Sequence, residues 1–450
     1  MSELLADAAR RASRYVTTLD NRRVAPEPEA LAALGRFERA LPEHSSAAES
    51  VLAELDELGS PATMATTSGR FFGFVTGGAL PVTVAASWLA TAWDQNAAMV
   101  VTAPLNAQLE IVAARWLIEL FGLPTQSACG FVTCATTANF SALAAARHAL
   151  LARQGWDVEA QGLFGAPPLT VVVGEEVHSS MQKALAMIGF GRERVVRVPV
   201  DSQGRMLASA LPALDARTIV CVQAGNVNTG SFDPIAQLCE RAHAHDAWVH
   251  VDGAFGLWAA AAPSLAQLAV GIGAADSWGT DAHKWLNVPY DSGLVFVRDA
   301  ETLRAAMASG GAYLSQSEQR IPYQYTPDFS RRARGIEVWA ALRQLGRAGL
   351  ADLIEGNCRH ARRFAAGLAD AGWPVLNEVV LNQVLVSFGD AARTRRVIQR
   401  VQEEGTCWCG GTVWQGHVAM RISVSSWATT DQDVERSLHA IVRVAAERSP

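Results

Sequence analysis

The period of apolar and polar positions changes along the chain, and the changes predict where helices and strands lie. Residues 1 to about 65 repeat apolar positions at intervals of three and four, as in ALAALGRFERAL and SAAESVLAELDELG, which predicts helices. Residues 107–122, AQLEIVAARWLIELFG, predict another helix, which ends at Gly122 with Pro124 just beyond it. From Gly130 to about Asp299, short apolar runs alternate with helical stretches.

The alternating region predicts a mainly parallel sheet covered by helices on both faces. Its strand-like runs are LTVVVG (169–174), RVVRVPV (194–200), TIVCVQAG (218–225), AWVHVDG (247–253) and GLVFVRD (293–299). Buried strands joined through helices imply right-handed crossovers and an α/β fold. Ligands of such sheets bind beyond the carboxyl ends of the strands, so the polar residues that follow each run are candidate site residues.

These patterns divide the chain into four predicted segments. We expect an N-terminal helical arm (1–65), a large α/β domain (66–305), a catalytic loop and linker (306–335) and a small C-terminal α+β domain (336–450). The stretch 310–325 is polar and led by glycine, which is typical of a functional loop. Ser330 then offers an N-cap to a predicted helix, SRRARGIEVWAALRQLG, whose arginines would oppose the helix dipole.

Composition narrows the class of protein. Half of the 450 residues are hydrophobic and 18% are charged, which indicates a globular chain. The net charge of −6 offers no basic surface for nucleic acid, so we expect a small-molecule substrate. The N-terminus reads as an amphipathic helix rather than a signal peptide, and no apolar run is long enough to span a membrane. Seven scattered cysteines are typical of reduced thiols, which predicts a cytoplasmic protein.

Lysine is rare in this chain, since only Lys183 and Lys284 occur among 38 lysines and arginines. An amine can lose its proton and form a Schiff base, whereas a guanidinium cannot. Either lysine could equally be an ordinary exposed cation. The positions differ, however, because Lys183 falls inside a predicted helix and Lys284 follows a predicted strand end.

Two polar segments precede predicted helices. Thr133-Cys-Ala-Thr136-Thr137-Ala-Asn139 comes directly before a long helix, where small residues and free N–H groups can bind an anion, although the segment could be an N-cap only. Glu175-Glu-Val-His178-Ser-Ser follows the 169–174 run. His178 could act as an acid or base, as a stacking platform or as a surface residue.

Two further polar segments follow strands of the same region. In His250-Val-Asp252-Gly253-Ala254 an acid is followed by small residues, which suits a flat ligand with a cationic nitrogen. A metal at His250 and Asp252 is the alternative, but no third ligand is evident. Asp281-Ala-His283-Lys284 follows later. Anion cradle, stacking ring, acid and lysine together indicate pyridoxal 5′-phosphate as the cofactor, with no metal site.

These segments resemble the group II pyridoxal-phosphate-dependent amino acid decarboxylases, which include aromatic-L-amino-acid, histidine and glutamate decarboxylases. The similarity runs from about Phe71 to Trp339. It is most specific at His178-Ser-Ser, His250-Val-Asp252-Gly-Ala254 and Asp281-Ala-His283-Lys284-Trp285. The resemblance implies a fold-type I transferase fold and a homodimer with the active site at its interface.

The resemblance also implies a role for individual residues. Lys284 would be the Schiff-base lysine, Asp252 the partner of the pyridinium nitrogen and His178 the ring that stacks on the cofactor. The phosphate would be held at Ala135 and Thr136, with His283. Tyr313 would protonate the carbanion that remains after carbon dioxide leaves.

Two positions depart from the family pattern. Asp281 stands where aromatic decarboxylases usually have asparagine, and it would lie close to the phosphate. Asn226 stands where a threonine commonly touches the cofactor.

We therefore expect decarboxylation of an L-amino acid to its amine. An aldehyde synthase, an aminotransferase, another lyase and a cofactor-binding protein without turnover are the alternatives. An aromatic substrate is favoured by upstream aromatic residues, namely Phe71, Phe72, Phe74 and Trp93. An acidic substrate is the other possibility, because four arginines could bind it, namely Arg70, Arg331, Arg332 and Arg334.

Overall fold

The structure is a computed structural model that describes residues 1–308 and 320–447. The strands are β1 (Ala128–Val132), β2 (Thr170–Gly174), β3 (Val196–Val198), β4 (Thr218–Gln223), β5 (Trp248–Asp252), β6 (Ser277–Asp281), β7 (Gly293–Val297), β8 (Gln383–Val386), β9 (Gly410–Trp414) and β10 (His417–Ser423). The α-helices are α1 (Ser2–Thr17), α2 (Pro28–Ala33), α3 (Ala48–Glu54), α4 (Ser60–Ala62), α5 (Pro81–Trp93), α6 (Pro104–Leu120), α7 (Ala135–Ala152), α8 (Val158–Gln161), α9 (Ser179–Met187), α10 (Ile235–His243), α11 (Ala282–Trp285), α12 (Ala300–Met307), α13 (Gly335–Asp370), α14 (Ala391–Glu404) and α15 (Asp431–Ala446). Short 3₁₀ turns cover Leu34–Phe37, Ala208–Ala210, Gly256–Ala261, Pro263–Ala269, Ile272–Ala274 and Pro322–Tyr325, and a π-helical turn covers Leu55–Gly59.

Seven strands form the large sheet in the order β1-β7-β6-β5-β4-β2-β3. β7 runs antiparallel to β1 and β6, and the pairs from β6 to β3 are parallel. The prediction of a mainly parallel sheet is therefore confirmed. Each of the five apolar runs contains one of these strands, and β1 and β6 complete the sheet.

Burial explains why the sequence of these strands is so apolar. Every residue of β1, β4, β5, β6 and β7 is buried, so both faces of the sheet are covered. Strands that are buried on both faces have continuous apolar runs instead of a strict alternation of apolar and polar residues. The polar side chains on these strands are consequently buried too, and each requires a hydrogen-bond partner.

Contacts divide the chain into two compact units, which we name the sheet unit and the terminal unit. The sheet unit comprises Ala79–Arg359 and Asn377–Gln383. The terminal unit comprises Met1–Gly78, His360–Leu376 and Val384–Pro450. This division groups residues by proximity, whereas the four segments of the sequence analysis were drawn where the pattern changes. Those segments stay a prediction.

The terminal unit contains a three-stranded sheet in the order β8-β10-β9, with β10 and β9 antiparallel. Helix α15 begins with a capping box, in which Thr430 and Asp433 each bond the other's backbone N–H. Arg70 is buried and donates to the backbone carbonyls of Leu19, Asp20 and Arg22. The elements of this unit are therefore joined by polar as well as apolar contacts.

The helix predicted to begin at Ser330 begins five residues later, at Gly335. The prediction of the start was wrong because the arginines of this segment are held by carboxylates in an irregular stretch, as described below. Their charges are paired with Glu110, Glu337 and Asp291. Within residues 1–308 and 320–447, no helix has both the length and the apolarity that crossing a membrane requires.

Candidate active site

Lys284 lies one turn beyond the carboxyl end of β6, in the short helix α11. Its Nζ is 3.1 Å from Oδ2 of Asp281, and its side chain is 18% exposed. The other lysine, Lys183, lies on α9 and is exposed. The geometry thus distinguishes the two lysines, since only Lys284 occupies a strand end of the large sheet.

Asp252 ends the neighbouring strand β5, directly opposite Gly279 of β6. Its carboxylate accepts hydrogen bonds from Nδ2 of Asn139 at 3.1 Å and from the N–H of Ala254 at 3.2 Å. Burial raises the pKa of Asp252, while the charges of His178 and Lys284 lower it. A carboxylate in this position is suited to a cationic partner, because such a partner offsets the penalty of burial.

A chain of hydrogen bonds connects Asp252 through Asn139 to His250 and Ser277. Oδ1 of Asn139 is 3.0 Å from Nε2 of His250, and Nδ1 of His250 is 2.9 Å from Oγ of Ser277. Burial lowers the pKa of His250 to about 3. Both of its ring nitrogens are engaged in this chain, so the geometry makes it a supporting residue rather than a ligand.

The cradle predicted before the long helix lies between β1 and α7. The N–H of Ala135 donates to Oδ1 of Asp281 at 2.5 Å. A Cβ on Gly293 would come within 2.7 Å of the backbone of Cys134, which requires glycine on this side. Thr136 follows Ala135 in the first turn and is half-buried. An anionic oxygen therefore already occupies the first N–H of α7, as expected at a helix N-terminus.

Two histidines occupy the same part of the sheet unit. His178 is the N-cap of α9, where its Nδ1 accepts a hydrogen bond from the N–H of Ser180 at 3.2 Å. Nδ1 of His283 accepts from the N–H of Ser292 at 3.2 Å, and its Nε2 lies 3.6 Å from Oδ1 of Asp281. Burial is the largest influence on His283 and lowers its pKa. Each ring is thus oriented by a local backbone contact.

A sequence profile of the pyridoxal-dependent decarboxylase conserved domain matches residues 28–388, which is most of the chain. The chain belongs to this family. Aromatic-L-amino-acid decarboxylase of Bacillus atrophaeus is 26% identical over 403 residues, which are 84% of this chain and 82% of that protein. L-2,4-diaminobutyrate decarboxylase of Rhizobium meliloti is 27% identical over 377 residues, or 79% and 72% of the two chains.

A solved structure shows the same fold. The tryptophan decarboxylase of Oryza sativa, described as "TDC with PLP and tryptamine", aligns with a TM-score of 0.89 at 22% identity and covers 99% of this chain and 97% of that one. Membership of the pyridoxal-dependent decarboxylase family makes pyridoxal phosphate the cofactor of this enzyme, which is a lyase. The named relatives act on different amino acids, so the family leaves the substrate open.

The residues of this decarboxylase fit the cofactor. The buried carboxylate of Asp252 accepts hydrogen bonds from Asn139 and Ala254, neither of which is a cation. Nδ2 of Asn226 is buried and has no hydrogen-bond partner among the described residues, while its Oδ1 accepts from the N–H of Asn228 at 2.9 Å. An amide held in this way can donate to an acceptor on a bound ligand.

The predicted residues of the sheet unit lie at or just beyond the ends of strands of the large sheet. Ala135 and Lys284 both contact Asp281, and the charges of His178 and Lys284 act on Asp252. Asn226 lies two residues after Ala224, whose N–H donates to the carbonyl of Asp252 at 2.9 Å. Tyr313, the predicted proton donor, lies outside the described residues.

Sequence reasoning missed the roles of two residues. Asn139 was noted only as the end of the cradle motif, yet it holds Asp252. Ser277 was not singled out, yet it bonds both His250 and Nε1 of Trp248. The helical spacing gave a signal for Asn139, since it lies four residues after Ala135 and so on the same face of α7.

Proposed function

We propose that this enzyme decarboxylates an L-amino acid, with an aromatic side chain favoured, to the amine and carbon dioxide. The choice of substrate rests on four arginines that could have recognised an acidic side chain. Each of them already donates hydrogen bonds to other groups of the protein. Family membership supports the reaction type, and the arginine contacts support a substrate without a second carboxylate.

Each of the four candidate arginines is already paired. Arg331 donates to Glu110 at 2.7 Å, Arg332 to Glu337 at 2.6 Å, and Arg334 to Asp291 at 2.9 Å. Arg70 is 2% exposed and donates to backbone carbonyls of its own unit. An acidic substrate at Arg331 or Arg70 would compete with these partners, and the buried Glu110 carboxylate or a backbone carbonyl would lose a donor.

Two of the four aromatic candidates remain open to solvent. Phe71 stacks on Trp408 with ring centroids 5.2 Å apart, and Phe72 is fully buried. Phe74 is 64% exposed and Trp93 is 46% exposed. This exposed aromatic surface supports the preference for an aromatic substrate.

The proposed chemistry assigns one task to each side chain. Pyridoxal phosphate, when bound, supplies the electron sink that makes loss of the carboxylate feasible. Lys284 would hold the cofactor covalently, Asp252 would keep a proton on its ring nitrogen, and His178 would stack on its ring. Ala135, Thr136 and His283 would hold the phosphate, and Asn226 would donate to an oxygen of the cofactor.

Protonation completes the reaction. Tyr313 would deliver a proton to Cα after carbon dioxide leaves, so that the products are one amine and one carbon dioxide. His178 is the second candidate donor. A titratable donor held close to Cα favours protonation over oxidation by oxygen, because it competes for the same electron pair.

A panel of the twenty amino acids tests the proposal. Purified protein with pyridoxal phosphate should release carbon dioxide and an equal amount of amine, and most rapidly from an aromatic amino acid. Faster turnover of glutamate or aspartate would contradict the assignment of the arginines. Ammonia with peroxide would instead show an aldehyde synthase, and a keto acid would show an aminotransferase.

The two lysines provide a matched control. Borohydride reduction followed by peptide mapping should place the cofactor on Lys284. Lys284→Ala should abolish turnover, whereas Lys183→Ala should retain it. Label on Lys183 would overturn the assignment of the site.

We also propose that the protein is a cytoplasmic homodimer. The exposed apolar side chains of helix α5, Trp88, Leu89 and Trp93, support a subunit interface, because such patches mark association sites. The seven cysteines are all free, as a reducing compartment would keep them. Sedimentation of the purified protein tests the dimer.

A further inference from the structure

The first N–H of α7 is bonded by an acidic side chain of the same protein. That anion is the carboxylate of Asp281, whose Oδ1 accepts the N–H of Ala135 at 2.5 Å. The same N–H belongs to the cradle assigned to the phosphate of the cofactor. The carboxylate of Asp281 and the phosphate would therefore compete for the N–H of Ala135.

The carboxylate of Asp281 is held from several sides. Its Oδ2 pairs with Nζ of Lys284 at 3.1 Å, and its backbone carbonyl accepts from Nε1 of Trp258 at 3.0 Å. The residue is only 2% exposed. Because its backbone is tied and its side chain is enclosed, Asp281 cannot reach solvent without disturbing these contacts.

We propose that Asp281 is an internal anion that occupies the phosphate cradle of the cofactor-free protein, stabilises that state and weakens binding of the phosphate group. In the cofactor-free state it satisfies the N–H of Ala135 and pairs with the ammonium group of Lys284. Once a phosphate is present, two anionic groups share the same cradle. Their repulsion opposes loading, because like charges that are close and shielded from water interact strongly.

The inference concerns cofactor loading and does not depend on which amino acid is the substrate. Two effects of opposite sign distinguish it from a merely structural role for Asp281. Removing the charge should destabilise the cofactor-free protein, since a buried ion pair and a charge-assisted hydrogen bond are lost. It should at the same time strengthen binding of any ligand that brings a phosphate to the cradle.

The test compares Asp281→Asn with the wild-type protein, both stripped of cofactor. Each is titrated with pyridoxal 5′-phosphate and with pyridoxal, which lacks the phosphate, and the dissociation constants are read from absorbance or fluorescence. We expect Asp281→Asn to bind pyridoxal 5′-phosphate about tenfold more tightly relative to pyridoxal. We also expect the unfolding midpoint of the stripped variant to be lower than that of the wild type. Inorganic phosphate should raise the midpoint of the variant more than it raises that of the wild type.

Asp276→Asn is the matched control. Asp276 precedes β6, at the end of the strand opposite Asp281, and accepts from the N–H of Val249 at 2.8 Å. This variant loses a carboxylate outside the cradle, so the ratio of the two dissociation constants should not change. The proposal is overturned if Asp281→Asn weakens both ligands equally, or if Asp276→Asn changes the ratio as much as Asp281→Asn does.

Discussion

Nδ2 of Asn139 donates a hydrogen bond to Oδ2 of Asp252 across 3.1 Å. Asn139 comes from helix α7 and Asp252 from the end of strand β5, so this bond joins the helix to the strand that carries the buried acid. Oδ1 of the same amide faces His250 at 3.0 Å. The orientation of Asp252 thus depends on a residue that we do not expect to touch the substrate.

Replacing Asn139 should damage both stability and cofactor binding. Asn139→Ala leaves Asp252 and His250 buried with one partner fewer each, which should lower the free energy of unfolding by about 1–3 kcal/mol. Chemical denaturation measures that loss, and titration with pyridoxal phosphate should show weaker binding. If Asn139 acts through Asp252, adding Asn139→Ala to Asp252→Asn should cost less than it does alone, whereas additive losses would show independent roles.

His250 should make stability fall on acidification. Its pKa in the folded protein is about 3, whereas an unfolded histidine titrates near about 6.5. Between these values the unfolded chain binds the extra proton, so stability is present above pH 6.5 and is lost as the pH falls towards 3. Relative to His250→Gln, the wild type should lose roughly 1.4 kcal/mol per pH unit in this window. Parallel curves of unfolding free energy against pH for the two proteins would contradict the prediction.

Asp233 should instead make stability rise on acidification over part of the same pH range. Burial raises its pKa to about 6, although the N–H groups of Met206 and Gln223 each donate to it at 2.7 Å and oppose this shift. The folded protein holds a proton that the unfolded chain has released above about pH 4. This contribution to stability is complete below about pH 4 and is lost as the pH rises through 6.

Comparison with Asp233→Asn isolates this contribution. The difference in unfolding free energy between the two proteins should change by roughly 3 kcal/mol between pH 4 and 7, and should be constant above it. Because His250 and Asp233 offset each other between about pH 4 and 6, the wild-type curve alone cannot reveal either group. A difference that is independent of pH would contradict the shift assigned to Asp233.

Breaking the ion pair of Glu110 and Arg331 should be costly. Their atoms Oε1 and Nη2 are 2.7 Å apart, and neither side chain is more than 1% exposed. Glu110→Gln removes the charge that compensates Arg331 and should lower the free energy of unfolding by about 3–5 kcal/mol. The double replacement Glu110→Leu with Arg331→Met should cost less than the two single changes together, because neither charge is then left unpaired. Denaturant unfolding of the wild type, Glu110→Gln, Glu110→Leu, Arg331→Met and the double variant measures these differences.

The local patterns predicted most of the elements that carry the site. The runs at 169–174, 218–225 and 247–253 became β2, β4 and β5 because continuous apolar sequence suits strands buried on both faces. The start of α13 was predicted at Ser330 and lies at Gly335. The reason is tertiary, since Glu110 and Asp291, which are distant in sequence, hold Arg331 and Arg334 in an irregular segment.

The sequence alone determined the order of the candidate groups along the chain: small residues at Ala135, a ring at His178, an acid at Asp252 and a lysine at Lys284. These features are local, since each depends on a residue type at a strand or helix end. Only the tertiary structure decided what each group contacts. Asn139 reaches Asp252, and Asp281 reaches Ala135, because strand order and helix packing bring together residues more than a hundred positions apart. Periodicity carries no information about such long-range contacts, and they define how the site is held.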